Sequence, residues 1–318
     1  MKTIEWGFLI VNYLFLGGVS AGLFFVSTLA TFLYKHDEPS PYTRIARLGA
    51  FMAPWPVMIG CLLLIFDLGH WYRFWKLFVH VRLVSPMSIG SWLLVFFNLV
   101  AFVNAYAWLT ERQRNALFAK LPRQLAFLGN FNFDLDHWRR WLAILGLPIS
   151  VGVGIYTGVL LGAVQSRPFW NTNLVAQLFL FSALSTGCAA LILGLAGRDK
   201  SGQELRLLYG LDICFMVLEF FIVLPYIIHG QLSVQAVQDS LQLIMGGPFT
   251  ILFWVFFLGL GLLVPLAIEL RELVPVIVGN RDFHYSRGLA SGTAVLILGG
   301  GFLLRYIFVF AGQMSAMQ

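Results

Sequence analysis

Charge is what this chain has least of. Only 11% of its 318 residues are Asp, Glu, Lys or Arg, against about 25% in an ordinary soluble domain. With 59% hydrophobic residues and a mean hydropathy of +0.80, that shortage excludes a water-soluble fold. It also leaves no stretch for a separate soluble domain. Cysteine is scarce: Cys61, Cys188 and Cys214 stand alone inside hydrophobic stretches. Without a C-x-x-C pair the chain has no ligand set for zinc or an iron–sulfur cluster. Histidine is missing where a membrane haem would need it. His70, His80 and His229 fall at the ends of hydrophobic stretches, and His36, His137 and His284 in loops, which argues against the paired axial ligands of a di-haem cytochrome b. The N-terminus lacks a small-residue cleavage site before a full-length apolar stretch, so the first helix is expected to be retained.

What is there is a series of apolar stretches, each near the roughly 20 residues a bilayer requires. Eight are expected, at about 6–34, 45–68, 89–109, 141–164, 173–195, 205–229, 248–270 and 289–311, within a single membrane domain covering 1–318. The fold class is all-α. Pro54 and Pro56 should kink the second helix. Gly18 and Gly22 in the first, and Gly154, Gly158 and Gly162 in the fourth, form small-residue faces suited to close helix packing. Leu117, Leu121, Leu125 and Leu128 recur at helical spacing in the loop after the third helix, consistent with a segment lying along the membrane surface.

The net charge of +6 reads as membrane topology rather than nucleic-acid binding. Fifteen of the 21 Lys and Arg residues fall in the loops after helices 1, 3, 5 and 7. The other side has Lys2, Arg73, Lys76, Arg82 and Arg167, and Arg305 lies inside the last helix. By the positive-inside rule both termini face outward, to the periplasm in a bacterium.

The stretch from Asp67 to Trp92 is the densest polar and aromatic knot. It gathers Asp67, His70 and His80 with Arg73, Lys76 and Arg82, and it groups Trp71, Trp75 and Trp92 with Trp55 upstream. Tryptophans at such a place ordinarily form an interfacial belt, and the cations suit docking of a partner. Charges at membrane depth are costly and point to function: Asp67, Arg305, and the pair Asp212 and Glu219, seven residues apart on one face of the sixth helix. Counting 1.5 Å per residue, Asn12, Tyr13, Asp67, His70, Tyr156, His229 and Arg305 all fall in the outer half of the bilayer. Such a level suits a lipophilic ligand bearing carbonyl or hydroxyl groups.

At these residues the sequence resembles the NrfD/PsrC family, the membrane subunits of polysulfide-reductase-type complexes. The matching pieces are N-Y-L-F-L-G-G-V-S-A-G in the first helix, D-L-G-H-W-Y-R-F-W-K-L-F followed by S-P-M-S-I-G-S-W, then Y-T-G, P-F-W-N, L-E and the closing L-L-R-Y-I-F-V-F-A-G-Q. They span the whole chain in order. The resemblance implies two four-helix bundles and a quinone site near the periplasmic face, for menaquinone or ubiquinone, with no haem or iron–sulfur cluster in this chain. It implies an iron–sulfur ferredoxin-like subunit docked above, linked to a catalytic subunit, either a molybdopterin reductase or a multihaem cytochrome. Tyr156 matches the family's quinone-contacting tyrosine. Tyr13 falls where some members carry a histidine, with Asn12 beside it, and D-L-G-H-W stands where many relatives read D-L-G-R-P.

The function expected is a quinone-reactive anchor of a respiratory complex in a bacterial or archaeal cytoplasmic membrane, among its lipids. Tyr156, Tyr13 and Asn12 would bind the quinone. Asp67, His70, Arg305 and Glu219 are the candidates for catalytic work, with Arg305 pairing with Asp67 or another carboxylate. Asp212 and Glu219 would form a proton path, and Arg73, Lys76 and Arg82 would dock the partner. The alternative from another class is a proton-coupled secondary transporter, which often shows inverted repeats; no clear repeat is visible here.

Overall fold

The computed structural model describes residues 6–33, 40–67, 70–79, 85–119, 135–197, 202–279, 283 and 285–315. The helices are α1 (Phe8–Leu33), α2 (Pro41–Met52), α3 (Pro54–Asp67), α4 (Lys76–Val79), α5 (Pro86–Ala107), α6 (Glu111–Ala119), α7 (Leu135–Gly162), α8 (Leu174–Leu195), α9 (Gln203–Leu232), α10 (Gln235–Met245), α11 (Val264–Gly279) and α12 (Arg287–Met314). A short 3-10 turn, Trp71–Arg73, precedes α4, and a π-helical segment, Leu252–Leu263, runs straight into α11. Taking α2 with α3 and the π segment with α11, eight helices among the described residues are long and apolar enough to cross a membrane.

The second span is broken at Ala53. Pro54 and Pro56 lack the N–H groups that would continue the helical ladder, and the Ser20 hydroxyl of α1 donates to the Ala53 carbonyl at the break. The seventh span continues to Gly279, nine residues past the expected end. Arg271 and Glu272 close the apolar run but do not stop a helix, because charge ends a membrane segment whereas only backbone chemistry ends helical pairing. The Lys- and Arg-free connection after the sixth span contains α10, whose Ser240, Leu241, Leu243 and Ile244 are buried. Of the expected surface leucines, Leu121, Leu125 and Leu128 lie outside the described residues.

The first four spans close a ring: α1 packs on α2 and α3, these on α5, α5 on α7, and α7 back on α1. The last four make a second ring through α8, α9, the π segment with α11, and α12. The rings share a seam, chiefly α1 against α8. These two are the most enclosed spans, 72% and 78% buried along their apolar windows, against 28% for α5. Lipid tails are as apolar as leucine, so helices associate by close van der Waals contact rather than by leaving water. Small residues supply that contact. A Cβ on Gly22 would overlap the backbone of Ala183 and Gly187, and one on Gly158 would overlap that of Val175 and Ala176.

The end of the molecule where α1 starts and α12 finishes is tied by polar contacts. The Gln313 side chain accepts from the Trp6 N–H at 2.9 Å and donates to the Trp6 carbonyl at 2.9 Å. Arg167 donates to the Gln313 carbonyl, and the Trp170 indole donates to the Phe308 carbonyl at 2.6 Å.

Candidate functional site

Two polar assemblies stand in this apolar interior, one in each bundle. The first is built on a pair of phenols. Tyr13, on the inward face of α1, is fully buried, and its hydroxyl has no close, well-aligned hydrogen bond, only the looser one to the Tyr156 hydroxyl that it faces. Its polar neighbours are the Tyr156 phenol of α7 and the Cys61 thiol of α3. Tyr156 keeps 8% of its surface accessible. Its ring lies over Gly90 of α5, where any Cβ would collide with the ring and hydroxyl. Gly60 likewise meets the Tyr13 ring, with a built Cβ at 3.4 Å from its Cδ2. All four spans of the first bundle thus contribute to one cradle. A buried hydroxyl whose one partner is a loosely placed second phenol has hydrogen-bonding capacity to spare, so the Tyr13–Tyr156 pair is a place that could receive a ligand oxygen.

Around the pair, Asp67 closes α3 with its carboxylate against Gly7, just ahead of α1, 3.7 Å from a Cβ built there. Asn12 turns its amide back to the Phe8 carbonyl at 2.8 Å rather than toward Tyr156. His70 is exposed, with its ring 5.7 Å from that of Tyr72. Arg73 and Lys76 are exposed on the same cap, beside Tyr72, Phe74 and Trp75, which are 53%, 38% and 50% exposed. Phe78 of α4 meets Trp92 edge-on at 5.9 Å, so α4 and the start of α5 do form one aromatic cluster. Trp55 does not belong to it. It lies twelve residues before Asp67, about 18 Å along a helix, and packs on Phe102 at 5.9 Å. His80 and Arg82 lie outside the described residues.

The second assembly is buried charge. Arg305 of α12 is completely enclosed. It donates to Ser182 Oγ at 2.8 Å, to the Gly301 carbonyl at 2.7 Å and to the Phe179 carbonyl at 3.4 Å, and lies 5.3 Å from the Phe179 ring centroid. Gly18 of α1 leaves room for it, since a Cβ there would sit 2.8 Å from Nη2. Inserting an arginine at membrane depth costs about 2.5–3.5 kcal/mol, while charge-assisted hydrogen bonds contribute about 1.5–3 kcal/mol each. The local partners therefore suffice to hold it. Its carboxylate neighbour is Glu219, which faces Ser182 from the α9 side, not Asp67.

Asp212 shares that α9 face and accepts from Ser185 at 2.6 Å. Beyond it come Glu269, then Glu272 and Tyr209, each within electrostatic reach of the next. Asp212 Oδ2 and both Glu269 oxygens are buried without hydrogen-bond partners, while Glu272 and the Tyr209 hydroxyl interact with each other. The residues expected at one level, Tyr13, Asp67, Tyr156, His229 and Arg305, are spread over both bundles. The phenols belong to the first bundle, Arg305 to the second, and His229 lines an open cleft with Asn171 and Thr172.

Comparison with known proteins gives this geometry its family. Residues 1–316 match the family model described as polysulphide reductase, NrfD. The chain belongs to the NrfD family. A polysulfide reductase chain of Wolinella succinogenes is 32% identical over 98% of this sequence and 95% of its own length. Protein NrfD of Escherichia coli is 31% identical over 99% and 96%. A selenate reductase subunit of Mesobacillus selenatarsenatis is 30% identical over 98% and 74%. This NrfD-family protein is accordingly a multi-pass integral membrane protein.

Several members of the two assemblies escape a reading of the sequence. Cys61 reads as an isolated apolar residue, and Gly90 as one glycine among 31. Ser182 and Ser185 had a signal: two hydroxyls three apart on α8 opposite two acids seven apart on α9. Glu272 and Tyr209 were hidden because each lies near the end of its apolar stretch, where polar residues are ordinary.

Proposed function

We propose that this protein is the quinone-reactive membrane subunit of a respiratory oxidoreductase complex, passing electrons between the quinone pool and an iron–sulfur partner. The observation that carries the reading is the Tyr13–Tyr156 pair: two phenols facing each other in an apolar cradle, one without a close, well-aligned hydrogen bond and the other partly reachable. A quinol, either menaquinol or ubiquinol, would enter laterally and present its two oxygens to these groups. On oxidation it yields a quinone, two protons and two electrons. The exposed Arg73 and Lys76 form the docking face for the partner that accepts the electrons, and Arg82 extends that face in sequence.

Asp67 and His70 are the candidate proton acceptors. Asp67 lies at the bundle end with its carboxylate against Gly7, and His70 is exposed. Carboxylates and imidazoles are the usual general bases, and the outward face of this end follows from the loop arginines. Asn12 would become a third polar contact only by releasing its amide from the Phe8 carbonyl. In the second bundle, the file of Arg305, Glu219, Asp212 and Glu269, with orphaned oxygens along it, supports a proton path. Waters bridging orphaned polar groups are the physical means of such transfer.

The test is quinol oxidation by the purified complex carrying Tyr156→Phe. Loss of one hydrogen bond that forms with the reacting oxygen should lower turnover about tenfold or more, at roughly 1.4 kcal/mol per decade, with assembly of the complex unchanged. Wild-type turnover in that variant would remove Tyr156 from the site. A proton-coupled transporter is the competing reading, and substrate uptake by this protein alone in liposomes would favour it.

A further inference from the structure

At the end of the seam opposite the phenol pair, α1, α2, α9 and α11 leave a groove of about 280 Å³. Its walls are aliphatic: Val26, Leu29 and Leu33 follow one face of α1, and Leu211, Leu273 and Ile277 close the other side. Leu33 and Ile277 are 51% and 64% exposed, so the groove opens to the membrane rather than to a sealed interior. Arg206 and Tyr42 complete the lining, and Arg206 is exposed on the first turns of α9.

The ion pairing nearby singles out Arg206. Arg44 lies 3.1 Å from Glu204, which neutralises both. Among the described residues Arg206 has no carboxylate within 4.0 Å and no side-chain hydrogen bond. The helices at this end carry further cations, Arg47 on α2, Arg271 on α11 and Arg287 at the start of α12, against the acids Glu204 and Glu272. An aliphatic slot between helices, topped by an unpaired guanidinium and a phenol, matches one chemistry. The slot takes an acyl tail, and guanidinium with phenol takes a phosphodiester. A basic setting between membrane helices further favours lipids of net negative charge.

We propose that this groove is a specific site for an anionic phospholipid, one acyl tail lying between the two bundles and the phosphate held by Arg206 and Tyr42. The lipid completes the seam where α1 and α9 stand apart, as the glycines complete it where α1 and α8 touch.

The experiment is native mass spectrometry of the purified complex in detergent, with palmitoyl-oleoyl phosphatidylglycerol or the phosphatidylcholine of the same acyl tails. Phosphatidylglycerol should be retained about tenfold more than phosphatidylcholine. Arg206→Gln should bring the two to the same level, and Arg206→Lys should keep most of the preference. Gly210→Leu fills the groove, where a Cβ meets only Leu273 at 4.0 Å, and should lower retention of both lipids. Equal retention of the two by the wild type, undiminished phosphatidylglycerol in Arg206→Gln, or no effect of Gly210→Leu would each overturn the assignment. So would a quinone-mass adduct that Gly210→Leu removes and Arg206→Gln does not, since that would give the groove to an isoprenoid tail.

Discussion

At the scale of single residues, this protein separates its chemistry into hydroxyls and buried charge. Tyr13 and Tyr156 form the hydroxyl centre, and Asp67 is the candidate base at the end of the same bundle. Asp67→Asn keeps the shape and removes the base. Turnover with quinol should fall about a hundredfold, the lower range for a lost general base, and the acidic limb of the pH profile should flatten, because a carboxylate acts as a base only where it is ionised. An unchanged rate and profile would make Asp67 structural. Arg305 carries a different expectation. Arg305→Gln removes the hydrogen bonds to Ser182, Gly301 and Phe179 and the cation that acts on Glu219, and should cost about 3 kcal/mol or more at roughly 1.5–3 kcal/mol per charge-assisted bond, read as a lowered thermal midpoint of the complex. Adding Glu219→Gln should recover part of that loss, whereas additive losses would show that the two side chains do not interact. The residue scale is also where sequence reading reached its limits. Tyr156 and Tyr13 were legible through the motifs around them. The meeting of Tyr13 with Cys61, and of Tyr156 with Gly90, depends on the rotation of four helices and leaves no trace in any one of them.

At the scale of elements, glycine and proline do the shaping. Eight spans were legible because twenty apolar residues in succession have few other uses. Their ends were not: α7 begins at Leu135 and α11 runs to Gly279, since polar residues mark the bilayer boundary and not the helix boundary. The break at Ala53 was readable from Pro54 and Pro56. The π-helical segment was not, because nothing in L-F-W-V-F-F-L-G-L-G-L-L favours wide pairing over the ordinary ladder, and its contact with α12 at Gly261 and Gly300 is a tertiary fact. Two substitutions test the packing. Gly22→Val drives a side chain into the α8 backbone and should abolish accumulation of folded protein, measured by size-exclusion of the detergent extract. Gly90→Ala displaces only the Tyr156 ring, so the complex should assemble while quinol turnover drops several-fold. Normal turnover would detach that ring from the site.

At the scale of the whole molecule, two bundles joined along α1 and α8 give two polar assemblies in one membrane protein. The joint passes close to both: Tyr13 on α1 faces the phenol cradle, and Gly18, also on α1, makes room for Arg305. On the proposed reading, the quinol site and the proton path through the acids of α9 would thus be linked through one helix. The basic loops set a direction for this arrangement. In intact cells a membrane-impermeant maleimide should label Gln235→Cys from outside and reach Arg112→Cys only after lysis; the reverse pattern would invert the orientation.

The most direct measurement is electron paramagnetic resonance of the native complex, purified in mild detergent, before and after a reduced quinol analogue is added. The reading of this protein as a quinone-reactive subunit predicts that iron–sulfur signals co-purify, change on addition of the quinol, and change about tenfold or more slowly in the Tyr156→Phe complex. A protein that purifies alone and without signals, or signals that respond equally with and without the Tyr156 hydroxyl, would contradict it.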